Sequence, residues 1–141
     1  MFDVNEIVAN AMSVMRTRVN TLASNIANAE TTRTAEGGPY KRRDVVQVAQ
    51  TVEGNFGSVL DEVSLAKPSV AAIVEDQTAP RQVYQPGHPD ANPEGYVAYP
   101  NINIVESMTD LMSASKQYEA NITVLKTFQN FARRAIDIIS G

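Results

Sequence analysis

The chain has no cysteine and a single histidine, His88. Without cysteine there is no disulfide, no thiolate nucleophile and no Cys-based zinc site. With one histidine, a Ser-His-Asp triad would have to stand on the proline-rich loop around His88, and no multi-histidine metal site can be built within one copy. Long apolar runs are missing too: charge interrupts every few residues, and Glu6, Arg16 and Arg18 stand where a cleaved signal would need an apolar core. Positive charge is in short supply. Twelve Lys and Arg against 16 Asp and Glu give a net charge of -4 and a pI near 4.9, which argues against nucleic acid as the main partner. Proline and glycine are absent between Asn103 and Ser140, so nothing there interrupts a helix.

What is present is helical period at both ends. Alternating steps of 4 and 3 from Ile104 give Ile104, Met108, Leu111, Ser115, Tyr118, Ile122, Leu125, Gln129, Ala132, Ile136 and Ile139, an apolar series broken only by Ser115 and Gln129. Ala114, Phe128 and Ala135 widen the stripe, while Asp110, Lys116, Glu119, Lys126 and Arg133 fall away from it. Asn103 followed by Glu106 reads as a variant capping box, and Arg133 and Arg134 suit the negative end of the helix dipole. A helix of about 36 residues is predicted, roughly 55 Å long at about 1.5 Å per residue. At the other end Asp3 is a candidate cap with Glu6 behind it, and Val8, Met12, Met15, Val19, Leu22, Ile26 and Ala29 keep the same spacing, for a helix of about 26 residues. Two long one-sided helices with little else to cover them predict an antiparallel pair or a shared bundle. A helical hairpin closing an ordinary core is the alternative.

The middle, from Tyr40 to Pro100, carries strand and turn chemistry. Val45 to Val48, Val70 to Val74, Gln82 to Tyr84 and Tyr96 to Tyr99 are the candidate strands, with a loop from Glu75 to Pro80. Residues 51–69 are expected to be a long connection, with a helical turn at Ser58 to Leu65. Gly37-Gly38-Pro39 marks a chain reversal or extended joint. The basic run Lys41, Arg42 and Arg43 reads either as a solvated strand start or as an acid-pairing contact to a neighbouring copy. In the loop Gln85 to Val97, the trio His88, Asp90 and Glu94 comes nearest to a metal or acid–base site, but no second His or Cys completes a transition-metal shell, so His88 reads as a turn-holding residue.

Several of these segments together resemble a known family. Ser24-Asn25-Ile26-Ala27-Asn28 with the threonines that follow, the joint Gly37-Gly38-Pro39-Tyr40-Lys41-Arg42-Arg43-Asp44, the loop Pro86-Gly87-His88-Pro89-Asp90, the run Gly95-Tyr96-Val97 before Tyr99-Pro100-Asn101, and Tyr118-Glu119-Ala120-Asn121 are similar to the flagellar rod and hook family of bacteria. The run Thr31 to Asp44 and the Gly87-His88-Pro89-Asp90 loop narrow the resemblance to a proximal-rod subunit, although in that run Ala35 stands where Pro is expected. The match is good at both ends and at 80–101 and poor from 47 to 69.

The resemblance implies a structural protein, not an enzyme, of mainly α fold with a small β-rich middle. Residues 1–34 would be the amino-terminal helix of a rod core, 35–100 the middle region and 101–141 the carboxy-terminal helix, the two packing as an antiparallel coiled-coil pair within a tube wall that passes torque from motor to hook. It implies export through the flagellar type III apparatus without a cleaved signal and a rod that crosses the periplasm. Partners would be other copies of the chain and other rod subunits. No cofactor, metal, small-molecule substrate, nucleic acid or membrane insertion is expected.

The expected assembly surface comprises Val8, Met12, Met15, Val19, Leu22, Asn25, Ile26 and Asn28 with Ile104, Met108, Leu111, Tyr118, Asn121, Ile122, Leu125, Phe128 and Ile136. Lys41, Arg42, Arg43, His88 and Asp90 are candidate contacts between subunits. Because neither apolar stripe finds enough cover within one copy, both ends are expected to order only on assembly. A cytoplasmic helical-hairpin adaptor or chaperone, or another proximal-rod subunit of the same family, would share much of this pattern.

Overall fold

The computed structural model describes residues 2–51 and 66–140. Helix α1 runs Phe2–Ala27 and helix α2 Ile104–Ser140, 26 and 37 residues, close to the lengths the periodicity predicts. Helix α1 begins at Phe2, one or two residues before the start indicated by Asp3 and Glu6. The start of α2 is as the sequence indicates: the Asn103 side-chain oxygen accepts the backbone N–H groups of Val105 and Glu106 at 3.1 and 3.3 Å, satisfying two donors that have no partner within the helix.

Between the helices stand two separate two-stranded ribbons. Strand β1 (Arg43–Thr51) pairs antiparallel with β2 (Ala66–Glu75), with a register shift between Val46 and Gln47. Strand β3 (Arg81–Tyr84) pairs antiparallel with β4 (Tyr96–Tyr99). All four follow the β-branched and aromatic segments of the sequence, but the first ribbon is longer than expected: Thr51 and Ala66 to Ser69, assigned above to a connection, are strand. The helical turn expected at 58–65 lies outside the described residues.

Gly37 and Gly38, at φ 89° and 77°, make the reversal that Gly-Gly-Pro indicates, closed by Gly37 N–H to Thr34 O and Thr34 N–H to Gly38 O. Gly95 is held at φ 86° where a Cβ would lie 2.8 Å from the Tyr84 ring, so that Tyr84 and Tyr96 can meet edge to face across the second ribbon.

Packing is thin and runs along α1. Helix α2 covers one side of it and the β1–β2 ribbon another, and the most buried apolar side chains are Val14, at 2% exposed, Leu22, Ala29, Val97 and Ala114. Within one copy α2 and the ribbon cover the α1 stripe in part, leaving Val8, Met12, Met15, Val19 and Ile26 half-buried. Helix α2 is different. It is longer by eleven residues, about 16 Å, and much of its apolar surface stays open.

Candidate assembly surface and its joints

The two helices run in opposite directions. Leu22 and Arg18 line one recess with Asp110, Val19 and Arg16 another with Ser115 and Tyr118, and Met12 and Ala9 a third with Tyr118 and Leu125. The covered line of α2 therefore passes through Ser107, Leu111, Ala114, Tyr118, Ile122 and Leu125, with Ala114 only 1% exposed. Ser107 and Ala114 are the small residues at which the helix backbones can come closest.

That line lies to one side of the apolar series read from the sequence. Leu111, Tyr118, Ile122 and Leu125 belong to both, and Asn121 and Phe128 are half-buried beside them, but Ile104, Met108 and Ile136 are exposed. On α1, Leu22 is buried and Val8, Met12, Met15, Val19 and Ile26 are half-buried. The stripe on α2 is thus wider than one partner can cover, and the polar interruption at Ser115 comes at its covered side.

The amide-rich exit of α1 has a sharper role than the sequence suggests. Asn25, 1% exposed, donates its side-chain N–H to Arg43 O at 2.7 Å and accepts the Arg43 N–H at 2.9 Å, doing for the start of β1 what a neighbouring strand would do. Its oxygen also accepts the Tyr40 hydroxyl at 3.1 Å, and that hydroxyl lies 3.3 Å from Ser24 Oγ. Asn28 donates to Ser24 O and accepts from the Thr31 hydroxyl, while Tyr40 N–H donates to Thr31 O. Asn25, named above with the assembly surface, is a joint inside the chain, and its three bonds reach across a sequence gap that periodicity cannot see.

A second joint uses the proline-rich loop. Asp90 accepts the Thr32 hydroxyl at 2.7 Å and lies 3.8 Å from the Arg33 guanidinium, tying the 85–95 loop to the segment after α1. His88 Nδ1 accepts the Asp90 N–H at 3.1 Å and its ring meets Tyr99 edge to face, so the histidine holds the turn. Glu94 donates its N–H to Asn92, and no group of three metal-ligating side chains occurs among the described residues.

The basic run is spent locally as well. Arg42 pairs with Asp44 at 3.1 Å and Arg43 with Glu75 at 3.2 Å, leaving Lys41 exposed with no ion pair among the described residues. One carboxylate has a displaced titration: the Thr78 hydroxyl and N–H both donate to Asp76 and hold its pKa below the ordinary value.

What the arrangement offers is a packed helix pair, two polar joints that fix the ribbons to it, and a long helix with an open apolar side. Comparison with known proteins assigns it. Residues 6–33 match the family model described as Flagella basal body rod protein, and residues 94–138 match Flagellar basal body rod FlgEFG protein C-terminal. A FlgC of Borreliella burgdorferi, named as a flagellar basal-body rod protein, is 34% identical, with 100% of this chain and 99% of that protein covered. The proteins of the same name from Salmonella typhimurium and Bacillus subtilis are 33% and 34% identical, over 98% and 92% of this chain and 97% and 92% of theirs. The chain belongs to the FlgC family of flagellar basal-body rod proteins. Members of the FlgC family are structural proteins of the rod, and this chain is one of them, not an enzyme.

Proposed function

We propose that the chain is built into the proximal rod by polymerising through its terminal helices, α1 and α2 of each copy forming an antiparallel coiled-coil pair whose outer side packs on neighbouring copies and other rod subunits to make a tube wall. The observation that carries this reading is the row of large apolar side chains left open on α2, from Ile104 and Val105 to Phe131 and Ile138, the last two 65% and 82% exposed. Large apolar side chains left open along a helix are the kind of surface that partners cover. Torque passes along such a wall because each helix is continuous through about 39 or 55 Å and the first ribbon is fixed to α1 by the Asn25 joint. Delivery by the flagellar type III export apparatus and a place in the periplasm belong to the same proposal.

The test is whether the chain sits in the rod. Hook–basal bodies purified from cells carrying an epitope-tagged copy are expected to contain it, and deletion of its gene is expected to abolish motility and hook formation. Recovery of the chain as small monodisperse oligomers in the cytoplasmic fraction, absent from basal bodies, would favour the helical-hairpin adaptor.

A further inference from the structure

The one histidine of the chain stands at the joint that ties the proline-rich loop to the segment after α1. The Asp90 backbone N–H reaches His88 Nδ1 at 3.1 Å. An amide N–H only donates, so Nδ1 carries no hydrogen and the ring is neutral with its proton on Nε2. That bond closes the turn from which the Asp90 carboxylate accepts the Thr32 hydroxyl at 2.7 Å and lies 3.8 Å from the Arg33 guanidinium. Backbone bonds from His88 N–H to Gln85 O and from Ala91 N–H to His88 O complete the turn and contain no group that titrates. The tie is therefore two links in series, imidazole to Asp90 backbone and Asp90 carboxylate to Thr32.

Imidazole is the side chain whose charge ordinarily changes between about pH 5 and 8. We infer that His88 is an acid-sensitive latch, whose protonation opens the joint between the 85–95 loop and the segment after α1. A proton on Nδ1 sets donor against donor at the Asp90 N–H, and the first link is lost. The same proton turns Nδ1 into a charged donor two residues from the carboxylate that Thr32 and Arg33 hold, and the imidazolium competes with them for it. The surroundings favour the imidazolium in that competition. Tyr99 of β4, edge to face with the ring at 6.4 Å between centroids, has its hydroxyl bonded to Gln85 and no charge in this range. Arg81 of β3 lies over the Tyr99 ring, not at the carboxylate, and Glu94 is exposed further along the loop. Arg33 pulls Asp90 the other way from an exposed position, where water and salt screen it. The loop joins β3 to β4, and β4 leads through Pro100 to the capping Asn103 of α2. Opening the latch thus frees the lead into one helix from the end of the other, while the Asn25 joint, which has no histidine, stays closed.

The test is a pH titration of the full-length chain followed by nuclear magnetic resonance. With one histidine, the ring C–H signals report the protonation of His88 without ambiguity, and ending at about pH 5 leaves ordinary carboxylates charged. Protection of the Asp90 amide from exchange, taken relative to its intrinsic rate at each pH, is expected to fall several-fold as the ring is protonated. Cross-peaks between the Thr32 and Asp90 side chains are expected to fade with the same midpoint. His88→Asn keeps an oxygen able to accept the N–H two residues on but cannot be protonated, so the joint should stay closed throughout. Cross-peaks and protection that persist while the ring titrates overturn the latch, as does an equal loss in His88→Asn. If His88→Asn does not fold, the titration of the original chain decides the matter by itself.

Discussion

Replacing Asn25 by alanine removes three hydrogen bonds at a residue 1% exposed and leaves the N–H and C=O of Arg43 without their partner. At about 1 to 3 kcal/mol for each buried group left unsatisfied, and with some water reaching the strand start, the expected loss is roughly 2 to 4 kcal/mol. That is a large share of the roughly 5 to 15 kcal/mol typical of a domain. The Asn25→Asp change is a sharper probe than alanine because it keeps the shape. The new carboxylate still accepts from Arg43 N–H and Tyr40, but the atom that donated to Arg43 O becomes a second acceptor facing that carbonyl. Only the protonated acid can donate there, so the folded pKa of the introduced carboxyl is raised. The stability this bond supplies is then present at acid pH and lost as pH rises through the raised value. Urea unfolding followed by circular dichroism is expected to rank the original chain above both variants at neutral pH, with Asn25→Asp recovering part of its deficit, relative to the original chain at the same pH, near the ordinary aspartate pKa of about 4. Asn28→Ala, which loses two bonds at a half-buried helix exit, should cost only about 1 kcal/mol. If Asn25→Ala unfolds within about 0.5 kcal/mol of the original, the range of an ordinary surface change, the joint does not hold the ribbon to the helix as argued.

Ala114→Leu forces a larger side chain between helices where the present one is 1% exposed and is expected to cost about 1 to 3 kcal/mol by overpacking, measured by the same unfolding, whereas Met112→Ser on the open flank should stay within about 0.5 kcal/mol and instead impair incorporation into the rod. Gly95→Ala is expected to be clearly more destabilising than Gly37→Ala: both have positive φ, but only at Gly95 does the new Cβ strike a ring, Tyr84, at 2.8 Å, and the Tyr84–Tyr96 contact should loosen in aromatic proton spectra. The Asp76 carboxylate, with its pKa lowered by Thr78, contributes stability that is present above the ordinary carboxylate value and lost as pH falls through the lowered one; the Thr78 amide resonance should titrate below the usual aspartate range, and the step should vanish in Asp76→Asn.

Local rules made most of this fold legible. The helices were readable because apolar spacing persists over many turns and because Asn103 announces the start of α2 with a residue type that can cap. Strands appeared where β-branched and aromatic residues cluster between glycines and prolines, although Thr51 and Ala66 to Ser69, poor in such residues, were missed as strand ends. The site was less legible. Which apolar residues turn inward depends on the height and rotation at which α1 meets α2, so Ile104, Met108 and Ile136 look the same in sequence as Leu111 and Leu125 and differ only in exposure. The pairing of Asn25 with Arg43 and of Asp90 with Thr32 spans 18 and 58 residues, beyond any periodic signal. The amide-rich motif and the Gly-His-Pro-Asp loop were the only hints, and they marked the places without naming the partners.

The sharpest measurement is a density map of the assembled basal body. Leu111, Ala114 and Tyr118 are expected to face Met12, Val19 and Leu22 of the same copy, while the exposed Val105, Phe131 and Ile138 are buried against adjacent subunits. A map in which α1 takes its helical partner from another copy, or in which these side chains of α2 face water, contradicts the proposed packing.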